Sequence, residues 1–304
     1  MNIQEYSSNK KKIIDVALDK YLPSPNTKPG VIHRAMRYAV FSGAKRIRPV
    51  LTIASFEACR GKGNLIMPVS CAIELIHTYT IIHDDLPCMD NDDTRRGKPS
   101  CHKKFSEDIA LLAGDALLTL AFQVLSEAGN VEVIKEISKA IGSCGTIGGQ
   151  VVDILKEKPA TEGSPAKSRA ERGEPRRGET TPRLHSGQGV QKPDKGMERI
   201  SFDYIASHKT GALFEAAVKA GAMIGLARRV EIDALSNFGR DIGWTFQLVD
   251  DLIDNDGYVK LYGSSFTRKK AEFLTKKAKD HLKIFGKRAK RLLEMADLIL
   301  YRRY

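Results

Sequence analysis

Two clusters of carboxylates, Asp84-Asp85-Leu86-Pro87-Cys88-Met89-Asp90 and Asp250-Asp251-Leu252-Ile253-Asp254, lie about 165 residues apart, and each ends a strongly apolar segment of helical pattern. Carboxylates packed this closely repel and raise one another's pKa unless a hard cation such as Mg²⁺ sits between them. Two such clusters suggest one shared metal site. Asp250 and Asp254, at i and i+4, face the same direction one turn apart, where like charges destabilise a helix that has no counterion. His77 is seven residues before Asp84 and so on nearly the same helix face, which puts a ring nitrogen and a cation site on one wall. Pro87 interrupts the helix, so a loop is expected to bring Asp90 back towards Asp84.

Cations follow the acids. Arg95 and Arg96, ahead of Gly97-Lys98-Pro99, supply guanidinium forks beside a carboxylate-held metal, the combination a diphosphate requires; the same arginines could simply neutralise Asp90, Asp92 and Asp93. Gly43-Ala44-Lys45-Arg46-Ile47-Arg48-Pro49 gathers three cations that could hold a second anion without metal, or could be ordinary surface charge. In His208-Lys209-Thr210-Gly211, a Lys and a Thr open an apolar helix, where backbone N–H groups also favour anions. Calcium loops are excluded: one starting at Asp90 has Arg95 sixth and Cys101 twelfth, and one starting at Asp254 has Val259 sixth. The chain has no phosphate-binding Gly-x-x-x-x-Gly-Lys-Ser/Thr loop and no His-Glu-x-x-His zinc motif.

The elements that must position these residues read as helices. Apolar residues recur at helical spacing over Ile14–Leu22, Val31–Phe41, Pro49–Cys59, Met67–Ile82, Ile109–Leu125, Val131–Ile141, Gly211–Ala227 and Ile232–Leu252, and few segments alternate as strands do. An all-α protein with helices around a central cavity is expected, built as a single domain over 1–304. Residues 156–199, rich in Pro, Gly, Arg and Glu and nearly without large apolar side chains, read as a disordered excursion within that domain, since the segments on either side must meet to complete the site.

With 304 residues and 42% apolar content the chain can bury a sizeable core. Much of its net charge of +12 sits in Lys260–Tyr304, which holds 14 Lys/Arg against 4 Asp/Glu. No aromatic interleaving or nucleic-acid motif accompanies that charge, so no nucleic-acid partner is expected. Five cysteines without a Cys-x-x-Cys pair read as reduced structural residues. The amino terminus lacks an apolar signal core and no apolar run reaches a bilayer's thickness, so the chain reads as cytoplasmic rather than integral to a membrane.

Taken together, these motifs resemble the trans-isoprenyl diphosphate synthase family, specifically its bacterial short-chain farnesyl and geranylgeranyl type, over nearly the whole chain outside 156–199. The resemblance rests on Gly43–Pro49, on the first aspartate motif with its two-residue expansion and the Asn91–Pro99 run, on Leu112–Leu117, on Gly148-Gly149-Gln150, on Lys209-Thr210-Gly211, and on Phe246–Asp251. It implies the isoprenoid synthase fold, with helices around a deep central cavity, a homodimer, and aspartate motifs that face each other across the cavity mouth. It further implies that Asp84, Asp85, Asp90, Asp250, Asp251 and Asp254 hold about three Mg²⁺ ions, with Mn²⁺ as a substitute, on the diphosphate of an allylic substrate. Arg95, Lys209 and Gln247 would hold that diphosphate, and Lys45, Arg48, His77 and Arg96 would hold isopentenyl diphosphate. Lys209 and Thr210 would flank the reacting carbons, and Lys209, Thr210 and Gln247 would be the catalytic residues.

The implied activity is a prenyl transfer that condenses isopentenyl diphosphate with dimethylallyl or geranyl diphosphate by metal-assisted ionisation. An aromatic residue at Tyr79, followed by Thr80 one turn before Asp84, resembles the cavity floor of bacterial farnesyl synthases, so farnesyl diphosphate is the expected product and geranylgeranyl diphosphate the alternative. A non-catalytic regulatory subunit is a further alternative, although such subunits typically lose one aspartate motif. One departure stands out: after Asp254 the family usually continues with a Gly-Lys pair and a closing segment, whereas this chain reads Asn255-Asp256-Gly257-Tyr258.

Overall fold

Apolar residues at helical spacing become helices almost throughout the residues that the computed structural model describes, 1–157 and 202–302. In chain order these are α1 (Ile3–Tyr21), α2 (Gly30–Val40), α3 (Ile47–Ala58), α4 (Ile66–Asp84), α5 (Cys101–Lys104), α6 (Glu107–Ser126), α7 (Val131–Ile141), α8 (Thr146–Glu157), α9 (Ala212–Ile224), α10 (Arg229–Asp254), α11 (Tyr258–Tyr262), α12 (Ser264–His281) and α13 (Lys290–Leu300). A π-helical turn over Ala206–Gly211 leads into α9, and a 3₁₀ segment over Leu282–Ala289 leads into α13. The two-residue strands β1 (Thr94–Arg95) and β2 (Lys98–Pro99) pair antiparallel in a small hairpin. The all-α expectation is met. The excursion expected at 156–199 lies, past its first two residues, outside the described residues.

Helix α4 carries the first aspartate motif and is apolar on every side, as an element enclosed by others must be. Val69, Ile73, Leu75 and Ile76 are fully buried, with α3, α6 and α9 packed around the helix. Both α4 and α6 are long and apolar enough to cross a membrane by length and composition alone; in α4, 72% of that window is buried inside the protein. Beneath the second motif is a smaller cluster of Leu248, Val249, Tyr258, Ala271, Leu274 and Leu300, which fixes α11 and α12 against α10.

The apolar periodicity did not mark the first turns of α1, nor α5, α8, α11, α12 and α13. The first three turns of α1 are polar, and the helix starts on a capping box in which Asn2 accepts from the Glu5 amide while Glu5 accepts from the Asn2 amide. Helix α8 opens with Gly148 and Gly149, which weaken helix propensity and dilute its pattern.

One of the three cations before Pro49 is structural. Arg46 is 2% exposed and donates to Glu74 at 2.7 Å, to Asp15 at 2.8 Å and to the Val40 carbonyl at 2.8 Å, tying α1, α2 and α4 to the turn before α3. Removing one partner of a buried pair leaves the other charge without compensation. Arg46→Ala is therefore expected to cost about 3–5 kcal/mol of unfolding free energy, measured by denaturant titration, and a loss below about 1 kcal/mol would show that the pair behaves like an exposed one.

Candidate active site

The C-terminal end of α4 forms one wall. Asp84 is its last helical residue, and the chain turns after Asp85 so that the Asp90 amide donates to the Asp84 carbonyl at 2.8 Å. The expected return of Asp90 to Asp84 is thus made by a backbone hydrogen bond. Asp85 is 2% exposed and accepts from Arg95 Nε at 3.0 Å and Nη2 at 2.5 Å; Arg95 also reaches Asp92 at 3.3 Å. In this state Arg95 neutralises the acids of its own wall. Arg96, held at positive φ in the β1–β2 hairpin, makes no ion pair among the described residues.

A second wall is built by α8, the π-turn and α10. Gly149 lets the α8 backbone approach the backbone of Lys209 so closely that a Cβ there would overlap it. Lys209 then reaches back to Asp153 at 2.6 Å. The π-turn itself is a local widening of the helix of a kind that recurs at functional sites. Thr210 Oγ1 donates to Gln247 Oε1 at 2.8 Å, and Gln247 Nε2 donates to Asp251 Oδ1 at 3.0 Å, which joins the turn to α10.

Between the walls is a cavity of about 310 Å³, with Arg48, His77, Asp84, Lys209 and Thr210 towards its polar end and Tyr79, Met89, Ile147, Val151 and Ile154 among its apolar lining. A second cleft of about 270 Å³ holds Asp153, Gln247, Asp250, Asp251 and Asp254. Lys209 lines both, so the two aspartate motifs open onto spaces that share one cation. Arg48 Nη1 stands 3.3 Å from His77 Nε2, and the guanidinium lies 4.3 Å over the Phe214 ring. Tyr79 is 6% exposed, packs edge-on to His83 at 5.7 Å, and its hydroxyl has no hydrogen-bond partner. Thr80 also lines the cavity, with its hydroxyl turned back to the His77 carbonyl at 2.9 Å. Lys45 stands exposed on the turn ahead of α3 and lines neither space.

Electrostatics mark the mouth as short of positive charge near the acids. Burial pushes the Asp84 carboxyl up to about 7, with Asp90 and Asp85 adding to the rise while Lys209 and Arg95 oppose it. Asp85, Asp90 and Asp250 are raised as well, burial being the largest cause in each. His77 is driven well below its ordinary value by burial and then by Arg48 and Arg96, which keeps the imidazole neutral. Burial lowers Arg48 to about 10, which leaves it cationic at neutral pH. Among the described residues no three acids or histidines are gathered where one ion could bind, but the carboxylate oxygens that line the two walls are the donor type a hard divalent cation takes. Mg²⁺ is commonly held by one or two carboxylates together with substrate phosphates, and carboxylates spread over two walls suit that mode.

The profile of the family described as polyprenyl synthetase matches residues 29–168 and 177–272. The chain belongs to this family. It is 38% identical to the large subunit 1 of a heterodimeric geranylgeranyl pyrophosphate synthase of Arabidopsis thaliana, over 99% of this chain and 80% of that one. It is 33% identical to a geranylgeranyl diphosphate synthase of Cyanophora paradoxa, covering 99% and 97% of the two chains. Among solved structures, an FPP/GFPP synthase from Zymomonas mobilis superposes with a TM-score of 0.82 at 34% identity, over 98% of both chains. The fold is accordingly the all-α isoprenoid synthase fold, and the chain is a prenyltransferase by family.

Two residues at the candidate site are ones that the sequence analysis did not single out. Asp153, the partner of Lys209, sits one helical turn after Gln150, and that spacing from the Gly148-Gly149-Gln150 motif was the available signal. Arg302 follows α13, and its Nη2 lies 2.6 Å from Asp250 Oδ1 while its guanidinium stacks 3.6 Å over the Phe246 ring. Nothing in a basic carboxy-terminal pair announces that contact. Mg²⁺ with inorganic diphosphate is expected to raise the thermal midpoint of the wild-type protein, by about 2.7 kcal/mol of stabilisation at a hundredfold excess over Kd. Asp84→Asn and Asp250→Asn should each remove most of the shift; a full shift in either variant would take that carboxylate out of the cation's surroundings.

Proposed function

We propose that this chain is a short-chain prenyl diphosphate synthase that condenses isopentenyl diphosphate with dimethylallyl and then geranyl diphosphate to give farnesyl diphosphate. The observation that carries the reading is the pairing of an acid-lined mouth with an apolar cavity that has Arg48 and Lys209 at its entrance. Mg²⁺ held by Asp84, Asp85, Asp90, Asp250 and Asp254 would supply the positive charge that lets an allylic diphosphate depart. Lys209 binds the same diphosphate from the side, its ammonium kept protonated by Asp84, Asp153 and Asp90 against the opposing effect of burial. Arg48, with the neutral His77 beside it and Arg96 nearby, holds the diphosphate of isopentenyl diphosphate. Released from Asp85, Arg95 would clasp the allylic diphosphate in bidentate fashion. Met89, Ile147, Val151 and Ile154 exclude water from the prenyl chain, which protects a carbocation from quenching. The proton released at the end of addition passes to the departing diphosphate, so no side-chain nucleophile is required.

Farnesyl is favoured over geranylgeranyl by Tyr79, whose buried ring lies in the cavity lining one turn ahead of His83. A geranylgeranyl product is the second reading, supported by the names of the plant and algal relatives. We also infer a homodimer, supported by α6, which leaves Leu111 and Leu112 47% and 51% exposed on a strongly apolar helix.

Purified protein given isopentenyl diphosphate, Mg²⁺ and each of dimethylallyl, geranyl and farnesyl diphosphate in turn tests the reading. Elongation that stops at farnesyl is expected, and no elongation from any starter by the folded protein would reject it. Tyr79→Ala should shift products to longer chains, resolved by chromatography, and an unchanged product would remove Tyr79 from the floor.

A further inference from the structure

The second aspartate motif divides its labour by helix geometry. On α10, Asp250 and Asp254 are one turn apart and share a face, while Asp251 shares its face with Gln247, one turn earlier. The exposures follow this division: Asp251 is 7% exposed, the Asp250 side chain is 25% exposed and Asp254 is exposed. Both oxygens of Asp251 are already engaged, since Oδ1 accepts from Gln247 Nε2 at 3.0 Å and Oδ2 accepts from the Tyr258 amide at 3.0 Å.

That second bond depends on the turn at 255–257, where this chain departs from the usual continuation. Asn255 takes the left-handed conformation at φ 53°, and Gly257 adopts φ 53° and ψ −118°, a combination that side chains disfavour. A Cβ at Gly257 would stand 2.5 Å from Asp251 Oδ2. The turn is therefore built directly against the carboxylate and delivers the Tyr258 amide to it. We propose that Asp251 is a positioning residue and not a metal ligand: clamped by the turn, it fixes the orientation of Gln247 and through it Thr210 at the cavity mouth.

The proposal rests on the prenyl-transfer reading and adds a role that reading does not contain. An ionised Asp only accepts hydrogen bonds, so it turns the Gln247 amide with its NH₂ inward and its carbonyl towards Thr210. Thr210 gives its hydroxyl hydrogen to that carbonyl, which leaves its own lone pairs facing the cavity it lines. Thr210 then presents the negative end of its dipole to the cavity, an arrangement suited to charge that develops as positive. An uncharged amide at position 251 would no longer impose this orientation.

Asp251→Asn separates a positioning group from a ligand. It is expected to lower kcat about tenfold or more while the KM for isopentenyl diphosphate and the Mg²⁺ midpoint of the thermal shift with inorganic diphosphate stay within about twofold of wild type. Asp250→Asn should move that Mg²⁺ midpoint about tenfold. Gly257→Ala, which reaches the site only through the turn, should reproduce the kcat loss with the Mg²⁺ midpoint unchanged. A Mg²⁺ midpoint displaced in Asp251→Asn as far as in Asp250→Asn would overturn the proposal, and so would wild-type kcat in Gly257→Ala. A readout that needs no turnover is amide exchange at Tyr258, expected to accelerate about tenfold or more in Asp251→Ala; unchanged exchange would refute the clamp. Absence of turnover in the wild-type protein would count against the prenyl-transfer reading and leave the exchange result to decide the clamp.

Discussion

Everything at this site follows from the cost of placing carboxylates where the protein itself disfavours them. Both aspartate motifs sit at the C-terminal ends of long helices, α4 and α10, where the helix dipole already presents partial negative charge. The acids are also buried, and burial is the largest cause of the raised pKa values of Asp84, Asp85, Asp90 and Asp250. Acids so placed either take up protons or draw cations to them. Some are supplied by the chain: Arg95 lies on Asp85, Lys209 on Asp153 and Arg302 on Asp250. The rest of the deficit is what a divalent cation and its diphosphate would relieve.

The scaffold turns that deficit into selectivity. Its apolar side is made by α4 and α8, whose side chains line the cavity. At its polar end Arg48 is desolvated and stacked against Phe214, a setting in which a guanidinium stays charged and gains strength from low local dielectric. His77 beside it is forced to stay neutral, so the pair offers one cation and one adaptable ring nitrogen. Buried ion pairs such as Arg46 with Glu74 hold α1, α2 and α4 in register behind this surface and are distinct from the cations that face the cavity.

The two motifs were legible without coordinates because acids at the end of apolar helical segments, spaced at i and i+4, conflict with local stability unless a cation explains them. The all-α class was legible for a related reason, since a period near 3.6 in apolar residues states which faces must be buried. Less accessible were the polar half of α1, set by a capping box, and α8, whose glycines hide its pattern while allowing its approach to Lys209. Asp153 and Arg302 escaped because a contact between residues far apart in sequence leaves no local pattern in either partner.

Residue types and spacing alone therefore determined the chemistry on offer, namely hard oxygen ligands, guanidinium and ammonium groups for phosphates, and apolar helices to enclose a chain. Tertiary structure decided the assignments within that inventory. It made Arg46 a brace and Arg48 a cavity residue although they are two positions apart, and it gave Asp250 and Asp251 different partners although they are adjacent. The physical reason is that a helix turns about 100° per residue, so neighbours in sequence face different surroundings, and only the packing of α8, α10 and the 255–257 turn fixes what those surroundings are.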